Sequence, residues 1–302
     1  MTNTADNSCS LSQGEMILEH HFEALLSCIK QEAPLIHCIT NPISINDCAN
    51  ILLAIGARPI MAEHPEEVAE ITAIAKGLAL NLGNITDARM ASMKISADVA
   101  KRKGIPFVLD LVGLSCSHLR QKYAQELMHI AVPDIIKGNI SELRTLLGLS
   151  TTPGMGIEAG QKEMVTRENA LEYAGIFQKQ AQEYNTVLLA TGPIDLVVSS
   201  KEAYSIANGS AALASITGTG CMNNVLAGAC LAATHGLSSH SQQPNNTIAA
   251  ILSCLLLGIA GENIHDIYLA HGPGSFHYSL MDSISKLTSH TIAQQCRITK
   301  LI

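Results

Sequence analysis

The sequence predicts an α/β protein: a mostly parallel central sheet with helices on both faces. Three observations carry this. Short apolar runs alternate with helical stretches, and strands buried on both faces read as such runs. The runs end in polar or Gly-containing turns that lead into helices. Of 302 residues, 47% are hydrophobic but only 3% aromatic, so the core is built mainly from Ala, Ile and Leu.

Residues 1–14 are polar, with neither a basic start nor an apolar stretch. They read as a flexible tail ahead of a single domain over 15–302. Leu35–Ile39 is a short strand ending at the turn Thr40-Asn41-Pro42. Asn46–Ile55 is an Ala/Leu-rich helix closed by Gly56, a residue suited to the left-handed position after a helix. Arg58–Ala62 is a brief strand and Glu66–Ala75 a helix. Leu78–Leu82 is a strand closed by Gly83-Asn84, and Asp87–Arg102 a helix. Phe107–Leu111 is a buried strand carrying Asp110 at its end, followed by a helix over Ser117–Met128. Asp134–Lys137 runs into Gly138-Asn139, and Glu142–Leu147 opens the next helix. Asn169–Tyr184 is a long amphipathic helix, and Thr186–Ala190 a strand entering Thr191-Gly192-Pro193. Leu196–Ser199 and Ala203–Ile206 pair as a hairpin. Thr219–Ala233 is an apolar helix after a Gly-rich loop, and two or three more helices finish the chain. The longest apolar stretch, Ile248–Ala260, is too short at about 1.5 Å per residue to cross a bilayer core of about 30 Å. It reads as a buried helix, and no membrane partner is expected.

Composition excludes several functions. The net charge is −7, with no basic block and few aromatics, which argues against nucleic-acid binding. Nine cysteines are scattered from Cys9 to Cys296 without CxxC pairs, so neither a disulfide framework nor a zinc ribbon is expected. Mostly inert thiols in a reducing, cytoplasmic setting are expected instead. The histidines show no HExxH spacing, and His37 reads as a strand-end residue. A GxxxxGK[ST] phosphate loop is absent. Gly154–Ala159 formally matches GxGxxA, but it follows Thr-Thr-Pro rather than a strand.

Ligands of open parallel sheets bind at the carboxyl ends of the strands, where the polar turns of this chain collect. The sharpest segment is Ile216-Thr217-Gly218-Thr219-Gly220-Cys221-Met222-Asn223-Asn224. Small residues crowd backbone N–H groups at a helix N-terminus, whose positive field suits a phosphate or an oxyanion. That field also lowers the pKa of a thiol placed there, which marks Cys221 as a base or a polarised thiol. A tightly packed Gly turn with a core cysteine is the structural alternative. Asp110 ends an apolar strand, where a carboxylate is costly without a partner or a task. Glu142, in the pattern Asn139-x-x-Glu142, could join it around Mg²⁺, because hard cations take oxygen ligands. Taken alone, it reads first as an ordinary acid in a helix's first turn. Thr191-Gly192 could meet a nucleotide phosphate or form a simple turn.

Taken together and in order, these segments resemble the hydroxyethylthiazole kinase family. The resemblance rests on His37-Cys38-Ile39-Thr40-Asn41, Asn46, Ala49-Asn50, Gly56-Ala57 and Pro59-Ile60-Met61. It continues through Leu80–Asn84, Lys137–Asn139 with Glu142, Thr191-Gly192 with Asp195, Thr217–Cys221 and Gly272–Phe276, over roughly residues 15 to 295. It implies a ribokinase-like fold and a homotrimer with active sites between subunits. The implied reaction is ATP- and Mg²⁺-dependent phosphorylation of 4-methyl-5-(2-hydroxyethyl)thiazole, a salvage step of thiamine synthesis.

Carried over by position, the resemblance places Met61, Asn41, Asn46 and Gly218 on the substrate side. Lys137, Thr191, Asn139 and Gly220 fall on the ATP side. Asp110 and Glu142 match the magnesium and phosphate carboxylates, and Cys221 stands where most ribokinase-like enzymes carry an Asp base. Three features depart from the family pattern. Leu111–Ser117 replaces a Pro- and Gly-containing loop, Lys137 replaces an Arg, and Pro193 replaces a Glu. Lysine keeps the charge but loses the bidentate fork, so altered ATP use is expected. Two other readings fit the same residues: a ribokinase-like kinase of another small vitamin-precursor alcohol, and a thiazole- or nucleotide-binding oligomer with weakened catalysis.

Overall fold

A computed structural model of the chain describes residues 13–149, 164–238 and 245–302. Most of the expected tail and the Gly154–Ala159 motif lie outside these residues. The last two residues of that tail already belong to the first helix, α1 (Gln13–Glu32).

The strands form one sheet in the order β2-β1-β3-β4-β5-β6-β7-β8-β9. They are β1 (Leu35–Ile39), β2 (Arg58–Ile60), β3 (Gly77–Asn81), β4 (Phe107–Asp110), β5 (Ile135–Asn139), β6 (Val187–Thr191), β7 (Asp195–Val198), β8 (Ala203–Ile206) and β9 (Ile298–Lys300). From β2 to β6 every pairing is parallel, and from β6 to β9 every pairing is antiparallel. The parallel part is fed by α2 (Ile45–Ile55), α3 (Val68–Ile74), α4 (Asp87–Lys103), α5 (His118–Ile130), α6 (Ile140–Leu146) and α7 (Ala170–Tyr184). After β8 come α8 (Thr219–Leu237), α9 (Asn246–Asn263), α10 (His265–His271), α11 (Pro273–Ser285) and α12 (Ser289–Gln295). Four helices and a strand therefore follow α8, rather than two or three helices. β9 is too short and too polar at its end to be read from sequence, and it exists by pairing with β8. His37 lies inside β1 rather than at its end.

Two apolar layers sandwich the sheet. Ile36, Ala79, Val108 and Ile135 face a layer with Phe22, Ile51, Leu226 and Leu252. Leu78, Leu80, Leu109 and Ile136 face the other, with Met93, Tyr123, Leu127 and Phe177. Alternate residues of each strand thus serve opposite cores, which is why the strands read as continuous apolar runs. Most of α9 is buried in the first layer, as expected for Ile248–Ala260. By length and composition alone it is apolar enough to span a membrane, the one such helix among the described residues.

α8 positions the site, and it lies unusually close to the sheet. A Cβ on Gly77 would stand 2.8 Å from the Gly228 carbonyl, so β3 and α8 approach backbone to backbone. This small-residue seam fixes where the N-terminus of α8 falls: over the carboxyl ends of β3 and β4.

Candidate active site

The register of the sheet builds a polar row. Asn81 on β3 pairs with Asp110 on β4, and Asp110 pairs with Lys137 on β5. Neighbouring strands lie about 4.8 Å apart and paired side chains share a face. The row therefore points to the same face as Ala79, Val108 and Ile135, toward α8. All three side chains are buried. Lys137 Nζ donates to Asp110 Oδ2 at 3.0 Å. Asn81 Nδ2 donates to the same oxygen at 3.0 Å and lies 3.3 Å from Cys221 Sγ. Burial raises the pKa of Asp110, while the Lys137 charge and the Asn81 amide draw it back. Burial opposes the Lys137 charge, but Asp110, Cys221 and Glu142 outweigh it and raise the lysine.

Cys221 is the third residue of α8, where unpaired helix N–H groups gather. Gly218 precedes the helix with φ 91°, a conformation costly for any other residue. A Cβ there would also stand 2.9 Å from Ser44 Cβ. The pKa lowering that the helix field favours is outweighed in this geometry. Burial, then Asp110, raise the Cys221 pKa, and Ser44, Lys137 and Asn81 only partly oppose them. The local sequence showed the helix end but not the carboxylate folded against it.

Glu142 is committed to the backbone. Its Oε1 accepts from Gly113 N–H at 2.7 Å and its Oε2 from Asn139 N–H at 2.8 Å, while Asn139 Oδ1 caps Glu142 N–H at 2.9 Å. The plain helix-capping role is thus realised, as a reciprocal capping box at the start of α6. Through Gly113, Glu142 also anchors the 111–117 loop. Arg120 closes that loop from the other side, donating to the Val112 carbonyl at 3.0 Å. Burial, then Asp110, push Glu142 up to about 7.

The remaining positions surround this core unevenly. Thr191 pairs with Asn139 in the sheet, and its hydroxyl lies 3.5 Å from the Gly138 carbonyl. Gly192 N–H donates to Asp195 at 2.9 Å, and burial first pushes Asp195 up to about 6. Gly220 brings its α-carbon close to Lys137 Nζ, which a Cβ there would meet at 3.7 Å. Asn41 caps the turn Pro42–Ser44 that presents Ser44. Met61 follows β2, half-buried, and packs against the layer containing Cys221. Its loop is fixed by buried His37, whose Nε2 meets the Ala62 carbonyl at 2.8 Å. Asn46 stands exposed on α2. Asn81 and Ser44 were given no role in the sequence reading. A strand-ending Asn amid apolar residues carries the same burial cost that flagged Asp110, and that was the available signal.

An open sheet with parallel strands feeding a polar row, capped by a glycine-led helix end, defines an α/β protein of the ribokinase-like class. A solved ribokinase-like superfamily protein from Enterococcus faecalis shares this fold, with a TM-score of 0.57 over 91% of this chain and 95% of that one, at 13% identity. The Hydroxyethylthiazole kinase family model matches residues 26–290, and the chain belongs to that family. It is 43% identical to hydroxyethylthiazole kinase 2 of Clostridium botulinum, over 89% of this chain and 97% of that protein. It also superposes on the solved hydroxyethylthiazole kinase protein from Pyrococcus horikoshii with a TM-score of 0.77, covering 93% of this chain and 99% of that one at 29% identity.

Proposed function

We propose that the protein phosphorylates the primary alcohol of 4-methyl-5-(2-hydroxyethyl)thiazole, using ATP and Mg²⁺, in thiamine synthesis or salvage. The observation that carries the reading is the row Asn81–Asp110–Lys137 meeting Cys221 beneath the N-terminus of α8. A migrating phosphoryl group needs positioning and charge stabilisation more than covalent chemistry. The N–H groups of residues 218–221 stabilise it, and Lys137 balances phosphate charge. Cys221 receives or gates the proton of the attacking alcohol. Its raised pKa makes the thiolate the minor form, and only that form accepts the alcohol's proton; as a thiol, Cys221 gates the transfer. Met61, Gly218, Asn41 and Asn46 form the thiazole side, with Thr191, Asn139 and Gly220 on the nucleotide side.

The donor set fits magnesium. Lys137 and Asn81 both donate to Asp110 Oδ2, and Asp110 and Glu142 supply hard oxygens. Among the described residues no cluster of three or more His, Cys, Asp or Glu exists to hold a metal by itself. Magnesium commonly keeps waters and takes phosphate oxygens alongside one or two carboxylates. When bound, magnesium supplies charge neutralisation to the phosphates.

The protein acts as a homotrimer, with a neighbouring copy completing the thiazole side. One observation supports this. Ile43 and Tyr278, on the two segments that the His277–Asp47 pair joins at 3.0 Å, are 65% and 79% exposed and would be covered by a neighbouring copy. The eight cysteines among the described residues are free thiols, which suits a reducing cytoplasm.

The test is direct. Purified protein with Mg²⁺-ATP is offered the thiazole, a hydroxymethylpyrimidine and pyridoxal, and phosphorylated product is followed by mass spectrometry. Thiazole phosphate should dominate; no thiazole turnover with any nucleotide would refute the reading. Cys221→Ala should lower kcat and leave the thiazole KM nearly unchanged. Light scattering should return the mass of three chains.

A further inference from the structure

We propose that Asn81 is a positioning residue that holds the Cys221 sulfur and the Asp110 carboxylate at a fixed separation. The proposal deepens the phosphotransferase reading above and rests on it.

The orientation of the amide is set from both ends. Gly83 N–H donates to Asn81 Oδ1 at 2.8 Å, and only the oxygen end of an amide accepts. The nitrogen end must then face the site, where it meets Asp110 Oδ2 at 3.0 Å and Cys221 Sγ at 3.3 Å. A carboxylate needs a donor at that position, so the two requirements agree. One –NH₂ has two protons and thereby serves two acceptors from a single atom. This matters because the carboxylate oxygen and the sulfur are both acceptors and would face each other unfavourably with no donor between them. A double donor between them lets both stay close. The sulfur accepts from Asn81, so the thiol's own proton is not spent on that contact. Asn81 acts through its two neighbours, the carboxylate and the sulfur.

The backbone supports the role. Asn81 ends β3 in register with Asp110, and Asn224 of α8 donates to the Leu80 carbonyl at 3.1 Å. Helix and strand are therefore pinned together one residue from the bridge. Gly83 lies under Asn41, whose Nδ2 a Cβ at Gly83 would approach to 2.7 Å. Asn81 thus also ties the acid and thiol to the wall that carries Asn41.

The decisive variant is Asn81→Asp, which keeps the acceptor for Gly83 N–H and the side-chain shape but removes the double donor. In the full-length protein, kcat for the thiazole should fall by about 10- to 100-fold. The thiazole KM should stay within about threefold, because ground-state binding does not use the bridge. In a Cys221→Ala background the same substitution should cost at least about threefold less, as coupled neighbours are non-additive. A purely structural role would lower both backgrounds equally. An Asn81→Asp protein with undiminished kcat, or with equal losses in both backgrounds, overturns the proposal. A second readout needs no turnover: iodoacetamide modification of Cys221 at one pH, followed on its peptide by mass spectrometry. Losing an N–H donor and gaining a carboxylate should slow it at least about threefold. An unchanged rate overturns the proposal even if the wild-type protein phosphorylates no thiazole, an outcome that would refute the functional reading separately.

Discussion

Lys137→Met isolates the buried charge pair on which the site is built. The side chains of Lys137 and Asp110 are 3% and 1% exposed and lie 3.0 Å apart. At an effective dielectric of about 20 their attraction is roughly 5 kcal/mol. Desolvating two ions costs several kcal/mol each, so the intact pair contributes little net stability. Breaking it is different. Methionine fills most of the lysine volume but leaves Asp110 with Asn81 as its remaining donor, and a stranded buried charge costs about 3–5 kcal/mol. The loss should be read by urea denaturation and should lower the melting midpoint by about 6–15 °C. Adding Asp110→Leu removes the stranded charge, so the double variant should recover at least about 2 kcal/mol. Neither variant should transfer phosphate, because the charge that faces the nucleotide is gone in both. Lys137→Met losing less than about 1 kcal/mol, or a double variant no more stable than the single, would refute the argument that charge burial dominates here.

Three further outcomes follow from individual residues. Glu142, raised to about 7 in the folded protein from 4.5, binds more protons folded than unfolded across that window. Its contribution to stability is therefore lost as pH rises from about 4.5 to 7, by up to about 3 kcal/mol, and Glu142→Gln should flatten that slope in urea titrations at several pH values. Gly218→Ala combines a φ of 91° with a Cβ 2.9 Å from Ser44 Cβ. It should destabilise by about 1–3 kcal/mol and raise the thiazole KM, checked by calorimetry and steady-state kinetics. Gly77→Ala drives a methyl to 2.8 Å from the Gly228 carbonyl, far from the chemistry. It should cost about 1–3 kcal/mol in thermal unfolding and also lower kcat, since it lifts α8 and with it Cys221 off the row.

How much of this was legible in the sequence depends on the range of each interaction. The strands β1 to β6 and their helices follow from local patterning, because continuous apolar runs and Gly or Asn stops need no distant partner. β9 did not, since only pairing with β8 makes a strand of Ile298–Lys300. The α1 helix was not marked as an element either; its mixed polar and apolar residues become informative only once α8 and α12 pack on it.

The site divides along the same line. Asp110 announced itself through the cost of a carboxylate in an apolar strand, and the place of Glu142 in the first turn of a helix is local and legible, whereas its reciprocal capping with Asn139 is seen only in the structure. The direction of the Cys221 pKa was not readable. The helix terminus is encoded within a few residues, but the burial and the carboxylate that outweigh it come from β4, more than a hundred positions away. The row Asn81–Asp110–Lys137 shows the point most clearly. Asn81 and Asp110 end their strands and Lys137 lies in the middle of β5, and each is costly there alone. Only the register brings them side by side, at which point each supplies what the next one lacks: a donor for the carboxylate, a counter-charge for the lysine, and two acceptors for the amide. Three residues that are each unfavourable on an isolated strand become a satisfied set when paired, so a slip of β4 would part the carboxylate from both of its donors. The chemistry and the strand pairing therefore select the same arrangement, and a chain that bound its substrate with β3 or β4 misregistered could not also bury these groups.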